Sequence, residues 1–442
     1  MAPGWLNNLL TKPPSIRLPD TGVYHFQKQA NGNTSRLHLR VDPDGSGILL
    51  INANQVFHLN PSAALITFLH LRDIPEKDSI GILKKKFALD NQDIQEDVIS
   101  TRLMIDQLIE GESCPICDLD LNIDAPFSST PSAPYRMDLA ITYRCNNACA
   151  HCYNARPRNY PELTTDKWKL ILDKLWSIGI PHIVFTGGEP TLREDLPILI
   201  NYAEIIGQIT GLNTNGRKLS DEGFTSRLVE SGLDHIQITF ESSDPEIHDE
   251  MVCHHGGWSE TLKGLQNALK HHKYVMTNTT MLSTNVHTIP DTLLFLGDLG
   301  VKTVGLNALI YSGHGKVVGT GLSESQLLPL LETAKMITES FGQKLIWYTP
   351  TQYCNFDPVQ NNLGIKGCTA ALYNMCIEPN GDAIPCQSYY ESLGNFLTKD
   401  WNLIWNHDLS KSIRERRYIQ SKCKECDLLP ECGGGCPLAA ST

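Results

Sequence analysis

The hydrophobic pattern of this chain changes character twice. Through residue 112 apolar positions first come in short strand-like runs and then at helical spacing. "VYHFQKQ" and "RLHLRV" read as strands, the second ending at the turn "DPDGSG", and "GILLINANQVFHL" reads as a hairpin. Three helices follow: "PSAALITFLHL", opened by Asn60 and Pro61; "EKDSIGILKKKFAL"; and "DIQEDVISTRLMIDQLIE", ended by Gly111. Ile94, Val98, Ile105 and Leu108 give the last helix one apolar face. This order predicts a small winged-helix-like α+β domain over residues 1–112.

Residues 113–134 read as a linker, rich in Ser and Pro in "NIDAPFSSTPSAP" and carrying Cys114 and Cys117 in "SCPICD". After it strands alternate with helices. "DLAIT" precedes "TTDKWKLILDKLWSI", with Thr165 as cap and Gly179 as stop; "HIVFTGG" precedes "EDLPILINYAEII"; "ITGLNTNG" precedes "DEGFTSRLVES". "DHIQITFESS", "VMTNTTML" and "KTVGLNALI" lead in turn to "WSETLKGLQNALKHH", "TIPDTLLFLGDL" and a long helix from about Ser323 to Phe341. Six such units predict an α/β fold, a partial (β/α)6 barrel over 135–350 rather than an open Rossmann sheet. A seventh run, "KLIWYTP", hands over to a Cys-rich extension, 351–442.

Charge narrows the partners. With 37 Lys plus Arg against 49 Asp plus Glu, the net charge of −12 is repelled by a phosphate backbone or an anionic membrane. The last helix of the first domain carries Asp93, Glu96, Asp97, Asp106 and Glu110 against Arg102, the wrong sign for a DNA groove. Capture of a peptide on a strand edge is the better reading of that domain. The start of the chain has no signal-peptide pattern and no window is long and apolar enough to span a bilayer, so the expectation is a cytoplasmic protein. In a reducing compartment the fourteen cysteines read as metal ligands rather than disulfides.

The functional signal sits where barrel chemistry is expected, at the carboxyl ends of strands. "TYRCNNACAHCYN" follows the first strand, "TGGEP" the second, "NTNG" the third and "ESSD" the fourth. Structural zinc takes four protein ligands, and catalytic zinc usually recruits His or carboxylate, of which only His151 is close by. A cubane iron–sulfur cluster takes one thiolate per iron. Three cysteines would leave one iron open to an outside ligand.

The C-x3-C-x2-C spacing of Cys145, Cys149 and Cys152, followed by Tyr153, resembles the radical S-adenosylmethionine superfamily. The resemblance implies that these cysteines hold a [4Fe-4S] cluster whose fourth iron chelates S-adenosylmethionine, cleaved by one electron to a 5′-deoxyadenosyl radical. It further implies that Gly187, Gly188, Glu189 and Pro190 meet the methionyl ammonium, the glycines admitting close main-chain approach. Thr239 and Glu241, with Ser242 beside them, would meet the ribose, and Tyr153 would pack near the adenine. Asn213 is a further cofactor candidate or a turn-forming residue. Relatives often carry Arg-Gly shortly after "HD", where this chain has Val252 and Cys253.

From Cys368 onward the chain resembles the SPASM extension, notably in "CIEPNGDAIPC" and "LGNF", with Cys423, Cys426, Cys432 and Cys436 spaced C-x2-C-x5-C-x3-C. Zinc knuckles are the plainer reading of those last four alone. The resemblance implies one or two auxiliary iron–sulfur clusters: Cys368, Cys376, Cys386 and Cys436 on the first, Cys423, Cys426 and Cys432 on the second. The usual further cysteine is not among the last residues before Thr442, so the second cluster has an open iron or takes Cys354, Cys114 or Cys117. "GILLINANQVFHLNPSAALITFL" resembles a PqqD-like leader-recognition domain.

The whole arrangement resembles maturases of ribosomally made peptides that form thioethers and related crosslinks. It implies a precursor peptide as substrate, a flavodoxin- or ferredoxin-like electron donor, and a carbon–sulfur or carbon–carbon crosslink or another modification, with no catalytic acid or base identified. The alternatives are a radical enzyme acting on a folded protein, as sulfatase maturases do, or on a small molecule in cofactor assembly. An iron–sulfur redox sensor and a structural zinc protein are the readings from other classes.

Overall fold

The computed structural model describes residues 17–30, 33–52, 55–87, 91–110, 131–272 and 274–439. Two compact units divide the chain, Met1–Asp124 and Ala125–Thr442. Cys114 and Cys117 lie outside the described residues.

The first unit is an antiparallel meander, β1 (Gly22–Ala30), β2 (Asn33–Val41), β3 (Gly47–Ile51) and β4 (Gln55–Leu59), followed by α1 (Pro61–Leu71), α2 (Glu76–Phe87) and α3 (Asn91–Glu110). Asn60 starts α1 as its sequence position suggests: Oδ1 accepts from the Ala63 amide at 2.9 Å, and Pro61 occupies the first turn, where no amide is needed. The predicted stripe of α3, Ile94, Val98, Ile105 and Leu108, is buried against Leu65, Phe68 and Leu69 of α1 and Leu37, Leu39 and Leu49 of the sheet.

The second unit is built on one ten-stranded sheet. Seven parallel strands run in sequence order, β5 (Arg136–Thr142), β6 (His182–Gly187), β7 (Ile209–Thr214), β8 (His235–Thr239), β9 (Val275–Thr280), β10 (Thr303–Asn307) and β11 (Lys344–Trp347). The helices between them include α4 (Thr165–Ile178), α5 (Leu196–Ile206), α6 (Glu222–Glu230), α7 (Pro245–Val252), α8 (Gly257–His271), α9 (Ile289–Asp298) and α10 (Glu324–Ser340). Gly179 closes α4 at φ 101°, as expected. The cap at the other end is Thr164, not Thr165, whose hydroxyl instead donates to Asp195 at 2.6 Å. α7 was not foreseen. It is short and starts on Asp244, whose Oδ1 accepts from the Glu246 and Ile247 amides.

Period-two alternation sorts each strand. Leu139 and Ile141 of β5, Ile183 and Phe185 of β6, and Ile236 and Ile238 of β8 pack with Trp168, Leu199 and Leu228 beneath the helices. Asp138, Gln237, Thr239 and Asn278 therefore face the other way, into the barrel. The Cys-rich extension is not a separate layer. Its strand β12 (Asn374–Ile377) pairs in parallel with β5, Cys376 opposite Asp138, and β13 (Asp382–Ile384) and β14 (Gly394–Asn395) continue the sheet antiparallel. Among the described residues no helix is long and apolar enough to cross a membrane.

Candidate functional site

The loop after β5 carries Cys145, Cys149 and Cys152, and three distant segments hold its shape. From beyond β7, Arg217 donates through Nη1 to the Asn146 carbonyl and to Asn147 Oδ1 (2.8 Å), through Nε to Glu260 (2.5 Å), and meets His254 Nε2 at 2.7 Å. From the end of α7, the Val252 and Met251 carbonyls accept from the Ala148 and Ala150 amides. From beyond β10, the His314 amide donates to the Cys152 carbonyl at 2.9 Å. Where relatives carry Arg-Gly, this chain thus uses main chain, and a buried arginine comes from another strand end. Arg217 was not singled out in the sequence, where it reads as an ordinary residue after a turn.

Burial pushes all three thiols up, Cys145 to about 11, and Cys149 is raised further by Glu241 and by both of its fellow cysteines. Thiolates that repel one another are stabilised by a bound metal cation among them.

The "GGEP" turn is pressed against the same loop. At Gly188 a Cβ would stand 2.4 Å from the Arg144 carbonyl oxygen, and at Gly187, φ 134°, 2.0 Å from that of Thr142. Only glycine permits this approach. Glu189 joins this turn to the next strand end. Its carboxylate is fully buried and accepts from the Thr191 amide (3.0 Å) and hydroxyl (2.6 Å), the Thr214 hydroxyl (2.7 Å) and the Asn215 amide (2.7 Å). So bonded, it clamps the ends of β6 and β7 together. Pro190 begins the single buried turn that follows.

In "NTNG" the residue that touches the cysteine loop is Asn215, donating to Asn146 Oδ1 at 2.7 Å. Asn213 lies one residue pair deeper, beside Gln237 of β8, half-buried. Thr239 ends β8 opposite Asn278, also half-buried. Glu241 is buried and bonded to His151 Nε2 (3.0 Å) and the Thr280 amide (2.9 Å), which ties the strand-four end to the residue before Cys152. The Ser242 hydroxyl meets Thr288 at 2.8 Å and accepts from the Asp244 amide, so it shapes the start of α7. The Tyr153 hydroxyl points to the extension, donating to Gln387 Oε1 at 2.6 Å.

In the extension, burial raises Cys376, Cys386 (to about 12), Cys368 and Cys436; Cys368 feels Cys436 and Cys386, and Cys386 adds to the rise at Cys376. The four predicted together therefore share one electrostatic neighbourhood. The Cys432 sulfur accepts from the Tyr353 amide at 3.4 Å and faces the Thr351 carbonyl. That brings the segment leading into Cys354 alongside it. Among the described residues no three His, Cys, Asp or Glu side chains are arranged to hold a single metal ion. The soft, mutually repelling thiol sets fit polynuclear iron–sulfur clusters, the three-cysteine set leaving one iron open.

Comparison with known proteins agrees. Residues 139–308 match the Radical SAM superfamily and residues 368–427 the SPASM iron–sulfur cluster-binding domain. The PqqA peptide cyclase of Bradyrhizobium diazoefficiens is 28% identical over 327 residues, 71% of this chain and 84% of that protein. Streptococcus suis SuiB, solved bound to precursor peptide SuiA, shares the fold with a TM-score of 0.70 at 18% identity, covering 94% of this chain and 96% of SuiB. anSMEcpe, solved with bound AdoMet and a peptide, has a TM-score of 0.55 at 16% identity over 68% of this chain and 89% of its own. The chain is a radical S-adenosylmethionine enzyme with a SPASM extension, dependent on a [4Fe-4S] cluster, S-adenosylmethionine and auxiliary iron–sulfur clusters.

Proposed function

We propose that the enzyme modifies a ribosomally made precursor peptide, installing a carbon–sulfur or carbon–carbon crosslink. The observation that carries the peptide reading is the first unit's sheet: among the described residues β1 pairs on one side only, leaving nine residues of strand edge for a leader peptide to join by strand addition. The similarity to PqqA peptide cyclase and the SuiB-like architecture along nearly the whole chain support it.

Cys145, Cys149 and Cys152 would hold the [4Fe-4S] cluster, which with S-adenosylmethionine would supply radical chemistry for hydrogen abstraction from the substrate. The protein's part is positional. Arg217, Asn215 and the α7 carbonyls fix the cysteine loop, Gly187 and Gly188 offer main chain to the methionyl end, and Glu241 with His151 borders the ribose side. Cys368, Cys376, Cys386 and Cys436 would hold an auxiliary cluster able to accept an electron from the substrate, and a flavodoxin or ferredoxin would supply the first electron.

The test is the mass of a short peptide encoded beside the gene, after anaerobic co-expression with the enzyme or with a Cys145→Ala, Cys149→Ala, Cys152→Ala triple variant. Loss of two hydrogens with the intact enzyme alone is expected. An unchanged mass, no deuterium uptake from solvent and no binding would sink the peptide reading.

A further inference from the structure

Between the two cysteine fields lies a group of side chains that the cluster sites do not use. Tyr143 and Tyr390 pack against Ala140, Cys376 and Ile384. The guanidinium of Arg158 lies 3.2 Å from the Tyr143 ring centroid and 5.4 Å from that of Tyr390; that of Arg156 lies 3.8 Å from Tyr390. One carboxylate faces the two cations. Glu378 Oε1 accepts from Tyr143 (3.0 Å) and from Arg156 Nη2 (2.7 Å), and its distance to Arg158 Nε is 3.9 Å, too long for a hydrogen bond.

Counting donors gives a surplus. The Arg158 side chain is 9% exposed, and of its donor nitrogens Nη1 alone is hydrogen-bonded, to the Asn154 carbonyl at 2.6 Å. Arg158 Nε and Nη2, Arg156 Nε and the Tyr160 hydroxyl are buried without a hydrogen-bond acceptor. Buried donors are normally paired, and leaving a charged one unmade is costly. Surplus donors on a planar cation fit one kind of ligand, an oxyanion able to accept two parallel bonds.

The place decides whose oxyanion it is. Tyr143 packs on Cys376, two residues before Glu378, and Arg158 is bonded to the Asn154 carbonyl, two residues after Cys152. A group bound here adjoins both the segment after Cys152 and the Cys376 strand, the two cysteine fields proposed to hold clusters. We propose that Arg158, with Arg156 and Tyr160, binds a carboxylate, and that the carboxylate is an Asp or Glu side chain of the peptide being modified. This rests on the peptide reading for its source, not for its chemistry.

Two measurements on the reconstituted, S-adenosylmethionine-loaded enzyme test it. In ligand-observed NMR, N-acetyl-glutamate methylamide should bind about tenfold or more tightly than its glutamine counterpart, the weight of a charge-assisted hydrogen bond. That preference should vanish in Arg158→Gln and shrink in Tyr160→Phe. The glutamate–glutamine comparison needs no variant to fold. In co-expression, one acidic-to-amide change in the precursor should slow conversion by the wild type at least tenfold, and Arg158→Gln should not distinguish the two precursors. Equal binding of both amino-acid probes would overturn the site. Loss of S-adenosylmethionine affinity in Arg158→Gln would assign the donors to the cofactor's own carboxylate and overturn the substrate assignment. If the acidic probe binds preferentially and no peptide is ever modified, the site stands and the peptide reading falls.

Discussion

The Tyr153 hydroxyl donates to Gln387 Oε1 at 2.6 Å, so the residue after Cys152 touches the residue after Cys386 across 234 positions of sequence. Gln387 passes the contact on, its Nε2 donating to the fully buried Asp138 at 2.7 Å. Tyr153→Phe should keep the full complement of iron but lower unfolding stability by about 1–2 kcal/mol, since Gln387 Oε1 would keep only Thr186 at 3.4 Å. Gln387→Glu should cost more, because it sets a second carboxylate against Asp138 in a buried place. Urea denaturation of the two variants, with iron analysis, checks both statements.

Arg217 links the third strand end to the cysteine loop. Arg217→Ala removes its bonds to Asn146 and Asn147 and leaves Glu260 without this cation. Iron should fall by about one cubane, four atoms, per chain, with the auxiliary sites still filled. Iron and sulfide analysis alongside S-adenosylmethionine binding would show it; unchanged iron would mean that the main-chain contacts suffice.

Two glycines make a matched pair of opposite sign. Gly188→Ala places a methyl 2.4 Å from the Arg144 carbonyl oxygen and must displace the cysteine loop, so S-adenosylmethionine binding should be lost. Gly81→Ala, inside α2 with nothing within 4 Å of the new Cβ, should raise the stability of the first unit by up to about 1 kcal/mol. Binding isotherms and denaturation curves read the two effects separately.

At the opposite end of the barrel, His182 Nε2 and His235 Nε2 stand 2.9 Å apart. Burial, with Arg136 and His272 nearby, pushes His235 down to about 4, so the ring is neutral when folded. The unfolded chain takes up that proton near pH 6.5. The contribution is therefore whole above about pH 6.5 and is lost as pH falls toward 4, up to about 3 kcal/mol. Denaturation curves between pH 8 and 4.5 should show a steeper acid loss in the wild type than in His235→Gln.

The extension's cysteines should divide into two sets. Serine at Cys368, Cys376, Cys386 or Cys436 should remove one and the same cluster signal, whereas serine at Cys432 should leave it intact. EPR of the reduced single variants decides this, and a shared loss across both sets would refute the division.

The sequence alone settled what depends on near neighbours. Strand and helix periods, the αL stop at Gly179, the Asn60 cap and the stripe of α3 are local, because backbone hydrogen bonds and side-chain period act within a few residues. The three-cysteine loop and the glycine turn were legible for the same reason, since their chemistry resides in short spacings. What only the tertiary structure decided are the contacts between strand ends. Thr214 and Asn215 close around the Glu189 carboxylate from another strand end; Arg217 carries no signal until Asn146 lies beneath it. The extension looks like a separate domain until β12 pairs with β5. Parallel neighbours in a barrel come from distant segments, so which side chains share its mouth is fixed by sheet order and register, and a linear pattern does not carry that information.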